Sequence, residues 1–287
     1  MKLFTYVYEG KQQIGVLSAD EKTMIPIEEK DMQTLIESWS DKKQKQIAAL
    51  SQTGTGIAFE KVQLKAPIPS PKQDVICLGI NYMAHAEESA RYKEEAFGGE
   101  RPKAIYFSKR VNEAVADKQP IQGHFDMVDS LDYEVELAVV IGKNAKNVKK
   151  EDAFDYVFGY TILNDISARN LQTSHKQWYF GKSLDGFTPI GPCIVTKEAF
   201  SNPPALHIKS YVNGELRQNS TTDLLIFDIA HVISELSQGM TLQSGTIIAM
   251  GTPAGVGMGF VPPNFLKAGD EVICEIEGIG TLTNRVQ

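Results

Sequence analysis

Cysteine is scarce in this 287-residue chain. The three present, Cys77, Cys193 and Cys274, lie far apart and none belongs to a CxxC pair, which argues against a disulfide framework and a cysteine zinc site. Each is expected as a buried, reduced thiol inside a strand. No uninterrupted apolar run approaches the ~18 residues that a bilayer span needs, and the opening residues lack the basic-then-apolar order of an export signal. A cytoplasmic protein with no membrane partner is expected. Positive charge is in deficit, with 29 Lys and Arg against 36 Asp and Glu and a formal net charge of -7, so there is no general attraction to nucleic acid. The patterns GxSxG and HExxH do not occur, which disfavours a serine-hydrolase elbow and a zincin. Gly181-Lys182-Ser183 lacks the upstream glycine of a phosphate loop, because Lys176 stands there. The glycine-rich run Gly251 to Gly259 fails the dinucleotide fingerprint at Phe260, and Pro262 and Pro263 forbid the helix that should follow.

What is present is ordinary folded-protein composition, 42% apolar and 23% charged. Residues 1–66 read as a small α+β unit. A Glu9-Gly10 turn separates strands Leu3 to Tyr8 and Ile14 to Leu17, and Met24 to Ile27 adds another. Met32, Leu35, Ile36 and Trp39 recur at helical spacing behind an Asp31 cap, and Asp41 is the expected cap of a second helix to Leu50. Pro67, Pro69 and Pro71 alternate, which favours an extended connector and places a domain boundary between 1–66 and 67–287. Beyond it strands dominate: Val75 to Leu78, Ala104 to Phe107, Leu131 to Ile141, Val157 to Leu163, Ile190 to Val195, His207 to Val212, Ile247 to Met250 and Val272 to Ile276. Asn213-Gly214 signals a hairpin. A helix bearing Phe227, Ala230, Ile233 and Leu236 should end on a left-handed Gly239. Strands and helices do not alternate strictly, so the fold class is α+β with a mixed sheet rather than a doubly wound one.

Three acids stand out. In Leu131 to Ile141 strand alternation puts Tyr133, Val135, Leu137, Val139 and Ile141 on one face, and Asp132, Glu134 and Glu136 on the other. That second face continues as Ala138 and Val140, so the acids run into apolar surroundings, where clustered carboxylates need protons or a cation. Asp165 ends the apolar run from Tyr160. It either joins the two glutamates or caps a helix beginning near Ile166. Three hard oxygen donors without cysteine or histidine suit magnesium or manganese (Mg2+ or Mn2+). His85 and Glu88, three apart at a helix start, form either a surface pair or a base dyad in which the carboxylate orients the imidazole. The charged stretch Ser89 to Arg101, with Gly98-Gly99, suits a lid or an inert loop. Lys182 is a candidate for holding a substrate carboxylate, and Thr252 in its glycine-rich loop for holding an anion.

Taken together, Gly79 to Glu88, LDYEVELAVVIG (131–142), YTILNDISARNLQ (160–172), GKSLDGFTPIGP (181–192), VNGELRQ (212–218) and GTPAGVG (251–257) resemble the fumarylacetoacetate hydrolase family over about residues 67–287. The resemblance implies a mixed β-sandwich roll, a homodimer, and Glu134, Glu136 and Asp165 as magnesium or manganese ligands. It implies His85 and Glu88 as a lid-borne catalytic pair, Lys182 as a catalytic and substrate-contacting lysine, and Gln172 and Thr252 as holders of the oxo-acid end. The family's arginine-aspartate pair is here Arg169-Asn170, so any role of that acid is open. The implied chemistry is metal-dependent carbon–carbon cleavage, by decarboxylation or hydrolysis, of a small 2-oxo acid such as oxaloacetate or an acylpyruvate through an enolate. The same site admits keto-enol tautomerisation or double-bond isomerisation, and a weakly catalytic metabolite-binding scaffold is a further alternative.

Overall fold

A computed structural model describes all residues except 53, 54, 94, 96, 97 and 100–102. Strands β1 (Lys2–Tyr8), β2 (Lys11–Leu17) and β3 (Thr23–Ile27) form a meander, followed by helices α1 (Met32–Glu37) and α2 (Asp41–Ser51) and strands β4 (Ile57–Ala58) and β5 (Gln63–Lys65). The first turn has Glu9 and Gly10 at φ 49° and 74°, a two-residue hairpin whose twist matches its strands. Asp31 caps α1 through the Thr34 amide, as expected. The cap of α2 is Ser40, not Asp41, because the Ser40 hydroxyl reaches the Lys43 amide and Asp41 lies one residue inside.

Beyond the prolines come β6 (Val75–Gly79), helix α3 (Met83–Tyr92), β7 (Ile105–Lys109), β8 (Leu131–Asp132), β9 (Val135–Ile141), β10 (Val157–Asn164) and β11 (Ser167–Ala168). Short helices α4 (Arg169–Ser174) and α5 (Tyr179–Lys182) lead to β12 (Ile190–Thr196), β13 (His207–Val212), β14 (Glu215–Thr221), helix α6 (Ile229–Gly239), β15 (Ile247–Ala249), β16 (Glu271–Ile276) and β17 (Gly280–Arg285). Leu131 to Ile141, read as one strand, is broken at Tyr133-Glu134 into β8 and β9. No helix starts at Ile166, since β11 intervenes and α4 begins at Arg169, so Asp165 is no cap. Gly239 is not left-handed; α6 ends on Met240 at φ -130° in extended conformation.

The large sheet runs β4-β3-β2-β1-β12-β10-β9-β15-β6-β7, with β5 also on β1, and a second sheet runs β14-β13-β16-β17. In the large sheet β15 and β6 are parallel and the other pairs antiparallel. This is a mixed α+β fold, as expected. Residues 1–66 share the sheet of residues 67–287 through the β1–β12 ladder, Lys2 opposite Val195 and Leu3 opposite Ile194. Every residue of β9 and β10 is buried. Val135, Leu137, Val139, Tyr160 and Ile162 pack toward Ile208, Cys274 and Leu282 of the second sheet. On the opposite face Ala138, Val140 and Leu163 meet Met32, Leu35, Ile36 and Ile47 of α1 and α2. Both faces of these central strands are thus covered, which is why their runs are largely apolar. The three cysteines are free and buried in β6, β12 and β16.

After β15 the chain turns at Gly251, whose φ of 92° disfavours any side chain and whose added Cβ would sit 2.7 Å from the Cβ of Asn81. Asn81 cannot yield, because its amide nitrogen donates to Phe227 O at 3.0 Å and Met250 O at 2.7 Å. Gly251→Ala is expected to lower stability by about 1–3 kcal/mol through strain and the clash; a urea midpoint equal to that of the unsubstituted protein would contradict this.

Candidate active site

Sheet register assembles the acids. Leu163 lies opposite Glu136 and Asn164 opposite Val135 in the antiparallel β9–β10 pair. The next step puts Asp165 across from Glu134, where the Asp165 amide donates to Glu134 O at 2.8 Å. Two residues further on, Ser167 pairs with Asp132. Alternation therefore carries Glu134, Glu136 and Asp165 onto one face, and each offers a carboxylate oxygen within 4.8 Å of the others. All three are buried.

Buried anions at such spacing require cations. Lys182, last residue of α5, donates to Glu134 Oε2 at 3.0 Å and to Asp165 Oδ2 at 2.7 Å. Lys109, at the end of β7, is fully buried and donates to Asp165 Oδ1 at 2.5 Å and Ile166 O at 3.0 Å. Arg169, at the start of α4, pairs with Glu134 Oε1 at 2.7 Å and with Asp132 Oδ2 at 2.8 Å. Burial would push Glu134 upward, but Lys182 and Arg169 outweigh it and hold the carboxyl well below the usual carboxylate range. Glu136 goes the other way. Burial, Asp165 and Glu134 drive it well above that range, and Lys182 and the Gly251 amide only partly oppose them. Burial would lower Lys182, but Asp165 and Glu134 raise it overall.

Glu136 Oε2 accepts from Gly251 N at 2.8 Å, whereas its Oε1 is buried without a hydrogen-bond partner. An orphaned carboxylate oxygen among three hard oxygen donors fits a divalent cation. Glu134, Glu136 and Asp165 are the residues that could hold it.

A pocket opens on this cluster, lined by His85, Glu134, Arg169, Gln172 and Lys182 and walled by Phe107, Tyr92 and Trp178. His85 and Glu88 lie on one face of α3, with His85 Nδ1 3.4 Å from Glu88 Oε2. Glu88 Oε1 accepts from Gly255 N at 2.9 Å, which fixes the carboxylate from the loop opposite. The Gln172 carboxamide oxygen accepts from Arg169 at 3.0 Å, so its nitrogen is the end left to donate. Of the residues singled out in the sequence, His85, Glu134, Gln172 and Lys182 line one pocket, Glu136 and Asp165 lie within 4.8 Å of Glu134 by their carboxylate oxygens, and Glu88 stands beside His85. Thr252 does not join them as expected: its hydroxyl donates to Val135 O at 2.9 Å and accepts from Gln218 at 2.6 Å. Asn170 bonds Met127 O and the Ser130 hydroxyl, away from the acids. The stretch Ser89 to Arg101 lies partly outside the described residues.

Three residues of the site were given no role in the sequence reading, Lys109, Asp132 and Arg169. Lys109 continues the face of Ile105 and Phe107, and extending that strand by two positions would have flagged it. Asp132 was visible as an acid beside Glu134 but not its partners, the Gly257 and Met258 amides at 2.6 and 3.0 Å and Arg169; those come from distant segments.

Known proteins share this arrangement of chain. The oxaloacetate tautomerase YisK of Bacillus subtilis (strain 168) is 47% identical over 229 residues, covering 80% of this chain and 74% of its own length. The structure of a fumarylacetoacetate hydrolase from the psychrophilic Exiguobacterium antarcticum superposes with a TM-score of 0.85 at 37% identity, over 100% of this chain and 99% of its own. A 5-carboxymethyl-2-hydroxymuconate delta-isomerase from Mycobacterium smegmatis gives a TM-score of 0.78 at 32% identity, over 100% and 99%. The family described as fumarylacetoacetate (FAA) hydrolase, C-terminal, matches residues 74–287. The chain belongs to the fumarylacetoacetate hydrolase family.

Proposed function

We propose that this protein moves the proton at carbon 3 of a small 2-oxo acid of the oxaloacetate class, interconverting keto and enol forms with the help of Mg2+ or Mn2+. The carrying observation is Glu136 Oε1, a buried and unpartnered carboxyl oxygen beside two further carboxylates, in a crowd of acids that favours either a proton or a cation. The tautomerase name of the 47% identical relative supports the choice of substrate.

A divalent ion held by Glu134, Glu136 and Asp165 would supply the positive charge that draws electron density from carbon 3 toward the 2-oxo oxygen. The chain's own groups do the rest. The Gln172 nitrogen, oriented by Arg169, donates to the substrate carboxylate. Lys182, placed among the acids, stabilises charge growing on the 2-oxo oxygen. His85 takes the carbon 3 proton on Nε2 and delivers it to the 2-oxo oxygen to give the enol, the reverse transfer giving the keto form, while Glu88 holds Nδ1 and supports the imidazolium. Phe107, Tyr92 and Trp178 keep bulk water from the enolate.

Carbon–carbon cleavage is a second reaction open to the bound keto acid, in which the bond from carbon 3 to carbon 4 breaks instead of the C–H bond and pyruvate enolate is left. Loss of carbon dioxide needs no added group, and hydrolysis of an acylpyruvate needs His85 to activate a water instead. The three free, buried thiols accord with a cytosolic enzyme.

With Mg2+ or Mn2+, the protein should hasten decay of the enol absorbance of oxaloacetate while little pyruvate forms. Pyruvate appearing in step with that decay, from oxaloacetate, acetylpyruvate or fumarylpyruvate, would make cleavage the main activity; turnover of none of them would sink the proposal. Excess EDTA should abolish turnover, and restoring Mn2+ should recover it. His85→Ala should lower turnover by about 10²–10⁴-fold while Mn2+ affinity, read by electron paramagnetic resonance, stays unchanged. Glu136→Gln should lose Mn2+ binding, leaving the free-ion spectrum at full intensity; retained binding would contradict the ligand assignment.

A further inference from the structure

Between the two glutamates of the acid cluster lies Val135, whose backbone has an unusual pair of partners. On one side it pairs with Asn164 of β10. On the other, β15 covers β9 only from Ala138 to Val140, and the Met250 amide extends that cover to Leu137 O. Among the described residues no strand stands alongside Val135 on that side, yet both backbone groups are bonded. Val135 N donates to Gln218 Oε1 at 3.1 Å, and Val135 O accepts from the Thr252 hydroxyl at 2.9 Å. The two side chains are themselves joined, Gln218 Nε2 donating to Thr252 Oγ1 at 2.6 Å and to Pro253 O at 2.7 Å. Ser210 of β13 donates its hydroxyl to Gln218 Oε1 at 2.9 Å. Gln218 is fully buried and every hydrogen-bonding capacity of its carboxamide is used.

We infer that Gln218, with Thr252, is a positioning residue that replaces the missing strand beside Val135 and thereby fixes Glu134 and Glu136 for cation binding. A carboxamide can do this because it carries the acceptor and donor of a peptide group in one plane. The same bonds tie the segment that follows Gly251 to the strand, and the Gly251 amide holds Glu136 Oε2. One carboxamide on the second sheet therefore controls both the strand bearing two acids and the loop that orients one of them. Thr252 acts here through this strut: its hydroxyl proton is committed to Val135 O, so it is no donor to a substrate anion. Side chains behind a metal ligand set typically change affinity by about 10–100-fold when removed.

The inference rests on the proposed cation site, and Mn2+ binding without substrate separates the two. Mn2+ titrations followed by electron paramagnetic resonance, alongside thermal unfolding, would compare the unsubstituted protein with Gln218→Met, Gln218→Glu, Thr252→Val and Thr252→Ser. Gln218→Met and Gln218→Glu should weaken Mn2+ binding by about 10–100-fold. Thr252→Val should weaken it too, and Thr252→Ser, which keeps the hydroxyl, should restore it. The two sites should be non-additive, Gln218→Met with Thr252→Val costing little more than Gln218→Met alone. Folded Gln218 variants that bind Mn2+ as tightly as the unsubstituted protein would overturn the inference and leave the cation site standing. If Gln218→Met does not fold, Thr252→Val against Thr252→Ser decides by the same readout. An unsubstituted protein that binds no Mn2+ would overturn both readings.

Discussion

The cost of burying charge organises this protein. Asp132, Glu134, Glu136 and Asp165 sit where water has almost no access, and isolated anions there would be driven to take up protons. Lys109, Arg169 and Lys182 are buried with them. Their tethers run to β7, α4 and α5, segments that share no ladder with β9, so the ion pairs pin otherwise loosely connected pieces around the acids. Replacing such pairs with apolar side chains is often neutral or stabilising in other proteins. Their presence here is therefore better explained by chemistry than by stability.

The scaffold around them is built from sheet faces. The central strands are covered on one side by the second sheet and on the other by α1 and α2, so residues 1–66 contribute part of the apolar lid over the strands that carry the site. The second sheet reaches the site through side chains such as Gln218. Helix α3 is fastened to the far loop by Glu88 on Gly255 N and by Arg91, whose guanidinium donates to Gly259 O at 2.8 Å. Each component of the pocket is thus held by a segment remote in sequence.

What could be read from the chain follows from that remoteness. Alternation along 131–141 foretold which residues share a face, and the acid at the end of 160–165 gained meaning once the two strands pair with Glu136 opposite Leu163. His85 and Glu88 were legible because they are neighbours on one helix. The interruption at Tyr133-Glu134 was not, since its causes are the Gly257, Met258 and Arg169 bonds to Asp132. Lys109 was lost because a lysine at a strand end ordinarily faces water. Thr252 was singled out by its motif as an anion holder, but its bonds to Val135 and Gln218 involve β9 and β14, which no local pattern links to it. Caps failed in the same way: Ser40 and Asp41 are both good capping residues, and backbone geometry alone selects the first.

The order of segments along the chain has a consequence for biosynthesis. All three clustered acids leave the ribosome before Gln218 and Gly251, and the strand that covers Ala138 to Val140 arrives later still than the hairpin β13–β14. A nascent chain thus exposes the acids for much of its synthesis with only their nearest cations for company, and a cation-competent pocket exists only when nearly the whole polypeptide has emerged. Long-range pairing of this kind is slow to form, so the pocket is completed late in folding and nothing bound there can guide the early stages.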